Sequence, residues 1–91
     1  MSSGWRVELD EGAERDLKKL GQSAAREVVR YLRGRLATPE DPRRFGRPLS
    51  GKLHGLMRWR VGDYRVLGRI EKGVLVVLVI RIGHRRDVYK F

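Results

Sequence analysis

Hydrophobic and polar positions alternate near the start of the chain, where Trp5, Val7 and Leu9 are separated by Arg6, Glu8 and Asp10. That is the period of a short strand with one buried face. The period then lengthens to that of a helix. Asp10 is placed to cap it, Glu11 and Glu14 suit the positive end of its dipole, and Ala13, Leu17 and Leu20 recur on one face. Gly21 reads as its stop. A second helix is predicted over residues 23–37, with Ala25, Val28, Val29, Leu32 and Leu36 as its apolar stripe and Arg26, Arg30, Arg33 and Arg35 mostly outside it. Thr38 precedes Pro39 and so leaves helical space. Two helices joined by so short a turn form an antiparallel hairpin.

Residues 38–55, "TPEDPRRFGRPLSGKLHG", are rich in Pro, Gly and Arg and read as a loop, long enough to suggest a use. Three strands follow, over residues 56–61, 64–71 and 74–82. The first pair is joined through Gly62 and Asp63, the second through "EKG" at 71–73, and both joints read as hairpins. The predicted order is β-α-α-β-β-β. This is an α+β fold, with an N-terminal strand and a helical hairpin packed on a small, largely antiparallel sheet. Residues 1–91 form one domain, without repeat or linker.

Composition changes the picture through charge. Lys and Arg number 21 against 11 Asp and Glu, a formal net charge of +10, which is the electrostatic footprint of a nucleic-acid binder or of a ligand for another polyanion. The excess is uneven. Residues 1–21 carry 4 bases and 5 acids, residues 22–37 carry 4 and 1, and residues 38–91 carry 13 and 5, so the working surface is expected in the second half. Most of these bases are Arg, whose planar fork suits bidentate phosphate contact. The absence of Cys excludes disulfides and thiolate zinc sites and fits a reducing cytosol. The N-terminal "MSSGWRVELDEG" has no apolar leader region, and the longest apolar run, at 74–80, is too short to span a bilayer. A cytoplasmic protein with no membrane partner is expected.

Alternation in the predicted strands gathers the cations. Arg58 and Arg60 point away from Trp59 and Val61, while Arg65, Leu67 and Arg69 share a face opposite Tyr64, Val66 and Ile70. Such a row is either a solvated sheet face or a patch for phosphate. Arg65 lies mid-strand among apolar neighbours, and the last strand runs into "RIGHRRDVYKF", which delivers Arg81, His84, Arg85, Arg86 and Tyr89. RNA is a substrate such a patch can act on, because its own 2′-OH attacks the adjacent phosphate once a proton is removed and the phosphorane is stabilised. Arg suits the stabilising task. Tyr and Arg ordinarily lose their protons far above neutral pH, so His54 and His84 are the only residues of a type suited to proton transfer near neutrality. His84 is either an acid or base or a simple RNA contact, and His54 sits in the loop. The acids of the second half, Glu40, Asp41, Asp63, Glu71 and Asp87, are scattered, so no metal and no cofactor are expected. No Ser/His/Asp arrangement or glycine-rich phosphate loop is present either.

"MRWRVGDYRVL" at 57–67 together with "LVIRIGHRRDVY" at 78–89 resembles the RelE branch of the RelE/ParE superfamily, the toxins of bacterial type II toxin-antitoxin pairs. The likeness extends over nearly the whole chain. It implies the RelE-like fold and metal-independent, ribosome-dependent cleavage of mRNA in the A site, with the 70S ribosome and mRNA as partners. By position, Arg65 and Arg85 match the family's phosphate-handling arginines, Tyr89 its C-terminal stacking or proton-transfer tyrosine, and Arg58 a basic residue on the preceding strand. Leu56 stands where a second basic position is found and Gly68 where an aromatic is common. Lys52 and His54 are the candidates to supply the missing cation, and Arg60, Arg81, His84 and Arg86 complete the expected substrate-binding set. The resemblance also implies neutralisation by an acidic, partly disordered antitoxin in a heteromeric complex, which suits the basic face, with operator DNA reached only through that antitoxin. Two other readings remain open: a ParE-like inhibitor of DNA gyrase, and a non-catalytic RNA-binding module in which Trp59 or Tyr89 stacks on bases. Trp5 and Trp59 are otherwise expected in the core.

Overall fold

The computed structural model describes residues 4–84 and 88–89. Strand β1 (Arg6–Leu9) leads into helix α1 (Glu11–Lys19), capped by Asp10, whose Oδ1 accepts from Gly12 N–H at 3.1 Å. Glu11 and Glu14 in the first turn and Lys18 and Lys19 in the last complement the helix dipole. Gly21 does more than stop this helix. Leu20 closes α1, and Gly21, at φ 90°, turns the chain directly into α2 (Gln22–Tyr31).

The second helix is not uniform. After Tyr31 it widens into one π-helical turn, Leu32–Leu36, closed by Ala37 N–H on Leu32 O at 2.9 Å. Leu32 and Leu36 are both buried in that turn, and in α2 itself the buried alanine is Ala24 rather than the predicted Ala25.

The predicted loop at 38–55 also contains structure. Asp41 caps a 3-10 turn, Pro42–Phe45, which leads into strand β2 (Gly46–Pro48), and a second 3-10 turn, Gly51–Leu53, precedes β3 (Met57–Val61). Strand β4 (Tyr64–Glu71) follows through Gly62, at φ 60°, and Asp63. The next connection is longer than a hairpin turn at 71–73. A 3-10 turn, Lys72–Val74, and a left-handed Leu75 delay β5 to Val76–His84.

The five strands form one sheet in the order β1-β5-β4-β3-β2, parallel between β1 and β5 and antiparallel elsewhere. One face packs against the helices. Ala13, Val28, Leu32 and Leu36 meet Trp59, Val66, Val77, Val79 and Ile82 there, and Trp5 is half-buried against the same cluster. Each fully buried aliphatic side chain contributes roughly 1.5–3 kcal/mol relative to exposure.

Trp59 is 0% exposed, and its Nε1–H donates to Pro42 O at 2.9 Å. Two glycines clear space for its ring. A Cβ at Gly46 would lie 2.7 Å from Trp59 Nε1, and one at Gly68 would lie 3.2 Å from Trp59 Cζ3 and 2.8 Å from Leu78 O. Gly68 therefore faces the core, and an aromatic there would displace the indole.

A β-bulge sits where Leu67 pairs with Arg81 but Gly68 pairs with Val79, leaving Ile80 as an extra residue. It reverses the parity of β5. Val77 and Val79 face the helices before it, whereas Ile82 does so after it, with Arg81 and Gly83 turned to the opposite face. Gly68→Ala should destabilise the fold by about 1–3 kcal/mol through overpacking against Trp59 and the Leu78 carbonyl. A lower midpoint in urea unfolding at unchanged slope is the expected reading.

Candidate functional site

Because Trp59 and Val61 are buried, Arg58 and Arg60 must emerge on the sheet face without helices. Register adds the rest. Arg47 on β2 pairs with Arg58, and Arg60 pairs with Arg65 on β4. Like charges facing across strands repel, and an anion lying over the row would relieve that repulsion. Arg44, Phe45, Arg47, Pro48, Arg58 and Arg60 line a depression of about 410 Å3 at the β2 side, with no acidic residue among its walls.

Arg58 is half-buried within this row. Its Nη1 donates to Tyr89 Oη at 3.4 Å, which brings together two residues distant in sequence. Its Nε is buried with no acceptor among the described residues. Such an unmet donor costs roughly 1–3 kcal/mol, and a phosphate oxygen would satisfy it. Tyr89 is held by its neighbour: Val88 is buried, and a Cβ at Gly83 would stand 3.4 Å from Val88 Cα and Cβ. The glycine thus forms the seat for the C-terminal turn.

The remaining predicted site residues are spread more widely. Arg65 is on the arginine face, with Nη1 donating to Gly62 O at 3.2 Å and Tyr64 O at 3.0 Å, so its guanidinium lies against the β3–β4 turn. Arg81 Nε donates to Asp16 Oδ2 at 2.8 Å at the α1 edge of the sheet. His84 pairs with Tyr64 on the helix-bearing face, and the two rings meet edge to face at 5.5 Å. The bulge at Ile80 puts it there. Lys52 and His54 are exposed on the turn that precedes β3, and neither lines the depression. Arg85 and Arg86 lie outside the described residues.

Two contributors, Arg44 and Arg47, are not anticipated from sequence. Their signal is indirect. Gly46 is required opposite the Trp59 ring, and that requirement turns the segment into a strand which carries Arg47 beside Arg58. Arg44 pairs with Glu40 at 3.0 Å, both well exposed, and its guanidinium carbon lies 6.0 Å from the Phe45 ring, which Arg35 approaches at 5.3 Å. An exposed pair of that kind holds Arg44 weakly. Among the described residues no cluster of His, Cys, Asp or Glu could hold a metal ion, and no helix is long and apolar enough to cross a membrane.

Residues 7–89 match the family model described as ParE toxin of type II toxin-antitoxin system, parDE. Toxin RelG of Mycobacterium tuberculosis is 38% identical over 78 residues, covering 86% of this chain and 87% of that protein. Toxin RelE of the same organism is 36% identical over 86 residues, covering 94% and 87%. In structure, the toxin-antitoxin complex RelBE2 of M. tuberculosis matches with a TM-score of 0.83 at 35% identity, over 90% of this chain and 99% of that one. The archaeal RelE-RelB complex of Pyrococcus horikoshii matches at 0.67 and 26% identity, over 90% and 96%. The family model bears the ParE name and these relatives bear Rel names. Identities of 38% and 36% over most of both chains separate branches more finely than a match to a family-wide pattern.

The turn that supports Arg44 and Phe45 carries a pH dependence. Asp41 accepts from Arg43 N–H at 2.9 Å and takes Arg43 Nε and Nη2 at 3.0 and 2.6 Å. The side-chain bonds to Arg43, and then the backbone bond, lower the Asp41 pKa to about 2. An unfolded Asp titrates near about 3.9, so the capping contribution is full above that value and is lost as pH falls towards about 2. Carboxyl NMR titration should find the Asp41 midpoint well below the ordinary range in wild type and returned towards it in Arg43→Ala.

Proposed function

Since the chain belongs to the RelE/ParE superfamily of type II toxins as a RelE-type member, we propose that it is a metal-independent endoribonuclease that cleaves mRNA in the A site of the 70S ribosome and thereby inhibits translation. The observation that carries this reading is the Arg58–Tyr89 pair within a row of arginines, with the buried Arg58 Nε awaiting an acceptor. The ribose 2′-OH gives its proton to water and attacks the adjacent phosphorus, the P–O5′ bond breaks, and the leaving 5′-oxygen takes up a proton, which leaves a 2′,3′-cyclic phosphate and a 5′-hydroxyl. Arg58, Arg65 and Arg85 stabilise the charge that builds on the phosphorane oxygens. Tyr89, beside Arg58, stacks on a base or passes the proton to the leaving oxygen.

Arg60 holds the neighbouring backbone, and Lys52, His54 and Arg86 are the peripheral RNA contacts, whereas Arg81, bound to Asp16, and His84, on the helix-bearing face, are left out of that set. Tyr and Arg are poorly matched to proton transfer at neutral pH. In-line positioning of the substrate by the ribosome supplies several kcal/mol in their place, so free RNA is a poor substrate. The toxin acts in the cytoplasm, with no metal or cofactor.

The relatives of known structure include toxins solved with antitoxins. A chain of net charge +10 suits an acidic, partly disordered antitoxin that folds on binding, and operator DNA is reached through that partner. The ParE name of the family model favours a second reading, inhibition of DNA gyrase. A non-catalytic RNA-binding module is the third, carried by the arginine row alone.

Primer extension on mRNA in a reconstituted translation reaction, with a gyrase supercoiling assay on the same preparations, separates the three. Wild type should cut within A-site codons only when ribosomes are present, and Arg58→Ala and Arg85→Ala should each lower the rate by about 10²–10³. Intact mRNA with inhibited gyrase would establish the second reading, and salt-sensitive RNA binding with neither activity the third. Arg47→Ala, at the edge of the row, should weaken RNA binding while reducing the magnitude of the slope of log affinity against log salt by about 0.7–1. An unchanged slope would remove Arg47 from the RNA contact.

A further inference from the structure

Strand β1 pairs with β5 only along Val76 to Val79, and the ladder hydrogen bonds of β5 beyond that point need another partner. Helix α1 provides it. Asp10 N–H donates to Val79 O at 2.9 Å, and Gly12 approaches so closely that a Cβ there would stand 3.1 Å from Ile80 O. One turn later, Asp16 Oδ2 accepts from Ile82 N–H at 2.9 Å and from Arg81 Nε at 2.8 Å. Residues four apart share a helix face, so Gly12 and Asp16 form one contact strip against the strand edge. The Asp16 side chain is 13% exposed, so this carboxylate is committed to the strand rather than to solvent.

The strip holds the segment that leads to the candidate site. Gly83, next to Ile82, pairs with Arg65 and seats Val88, and Tyr89 follows against Arg58. At 3.4 Å the Tyr89–Arg58 contact is long, so its formation depends on the height at which the C-terminal turn lands on the sheet. We propose that Asp16 is a positioning residue: by holding Ile82 N–H and the Arg81 side chain it fixes the end of β5, and through Val88 on Gly83 it sets Tyr89 against Arg58. The effect on rate rests on the nuclease reading above. The effect on Tyr89 does not.

Three full-length variants test this. Asp16→Ala removes the acceptor, Asp16→Asn keeps an oxygen for Ile82 N–H without the charge, and Gly12→Ala crowds α1 against the Ile80 carbonyl without removing a polar side chain. The readouts are exchange of the Ile82 amide, the ring-carbon NMR signal of Tyr89 in tyrosine-labelled protein, assigned with Tyr89→Phe, and primer-extension kinetics on translating ribosomes. In Asp16→Ala and Gly12→Ala the Ile82 amide should exchange at least about tenfold faster, by local opening of the strand edge. The Tyr89 signal should move to its position in Arg58→Ala. In the same two variants kcat should fall about tenfold with KM within about twofold, as expected for misplaced reacting groups rather than lost binding. Asp16→Asn should restore the Tyr89 signal and most of kcat.

An Ile82 amide still protected in Asp16→Ala would overturn the proposal, as would a Tyr89 signal unmoved when that amide is exposed. Loss of kcat in Asp16→Asn equal to that in Asp16→Ala would also overturn it. If wild type cleaves no ribosome-bound mRNA, the nuclease reading fails while amide exchange and the Tyr89 signal still decide the role of Asp16.

Discussion

Burying the indole of Trp59 with its N–H satisfied is the constraint on which most of this structure depends. The ring lies on the helix-bearing face of β3 and donates to Pro42 O, which ties the Pro42–Phe45 turn to the sheet. Gly46 and Gly68 are both required beside it. Once Trp59 is inward, Arg58 and Arg60 have no choice of face, and the strand that Gly46 begins must carry Arg47 next to them. A packing requirement on one face therefore composes the charge pattern on the other. The energies are unequal: a buried Trp is worth several kcal/mol to the fold, whereas an exposed arginine adds little to stability and can serve a ligand instead.

The elements with clean periodicity are legible in the sequence itself. Alternation across β3 and β4, the Gly62–Asp63 joint and the Asp10 cap are local signals, and local physics decides them. β2 carries no such signal, because its three residues, Gly-Arg-Pro, show no apolar alternation and the strand exists only through its pairing with β3. The π turn is silent in the sequence, because the leucines at 32 and 36 suit an ordinary helix equally well. Arg58, Arg60 and Arg65 were readable as one face because parity is set within their own strands.

His84 and Asp16 show where such reading stops. Counting alternate residues from Val77 assigns the wrong face to everything after Ile80, since one unpaired residue in β5 reverses the count. Asp16 looks like any solvated carboxylate on an amphipathic helix. Its burial follows from β1 ending at Leu9, which leaves the neighbouring edge of β5 for α1 to cover. Neither outcome is encoded near the residue it affects.

The position of β5 in the sheet also governs when the fold can exist. It lies between β1 and β4, yet it is the last of the described strands, and Arg6 must find Val76 far along the polypeptide. Such distant pairing raises contact order and slows folding. During synthesis, β1 and α1 emerge first with no sheet to join, and the β3–β4 hairpin waits with one edge open. The β2–β4 face that carries Arg47, Arg58, Arg60 and Arg65 thus lacks its β5 neighbour until β5 has been made.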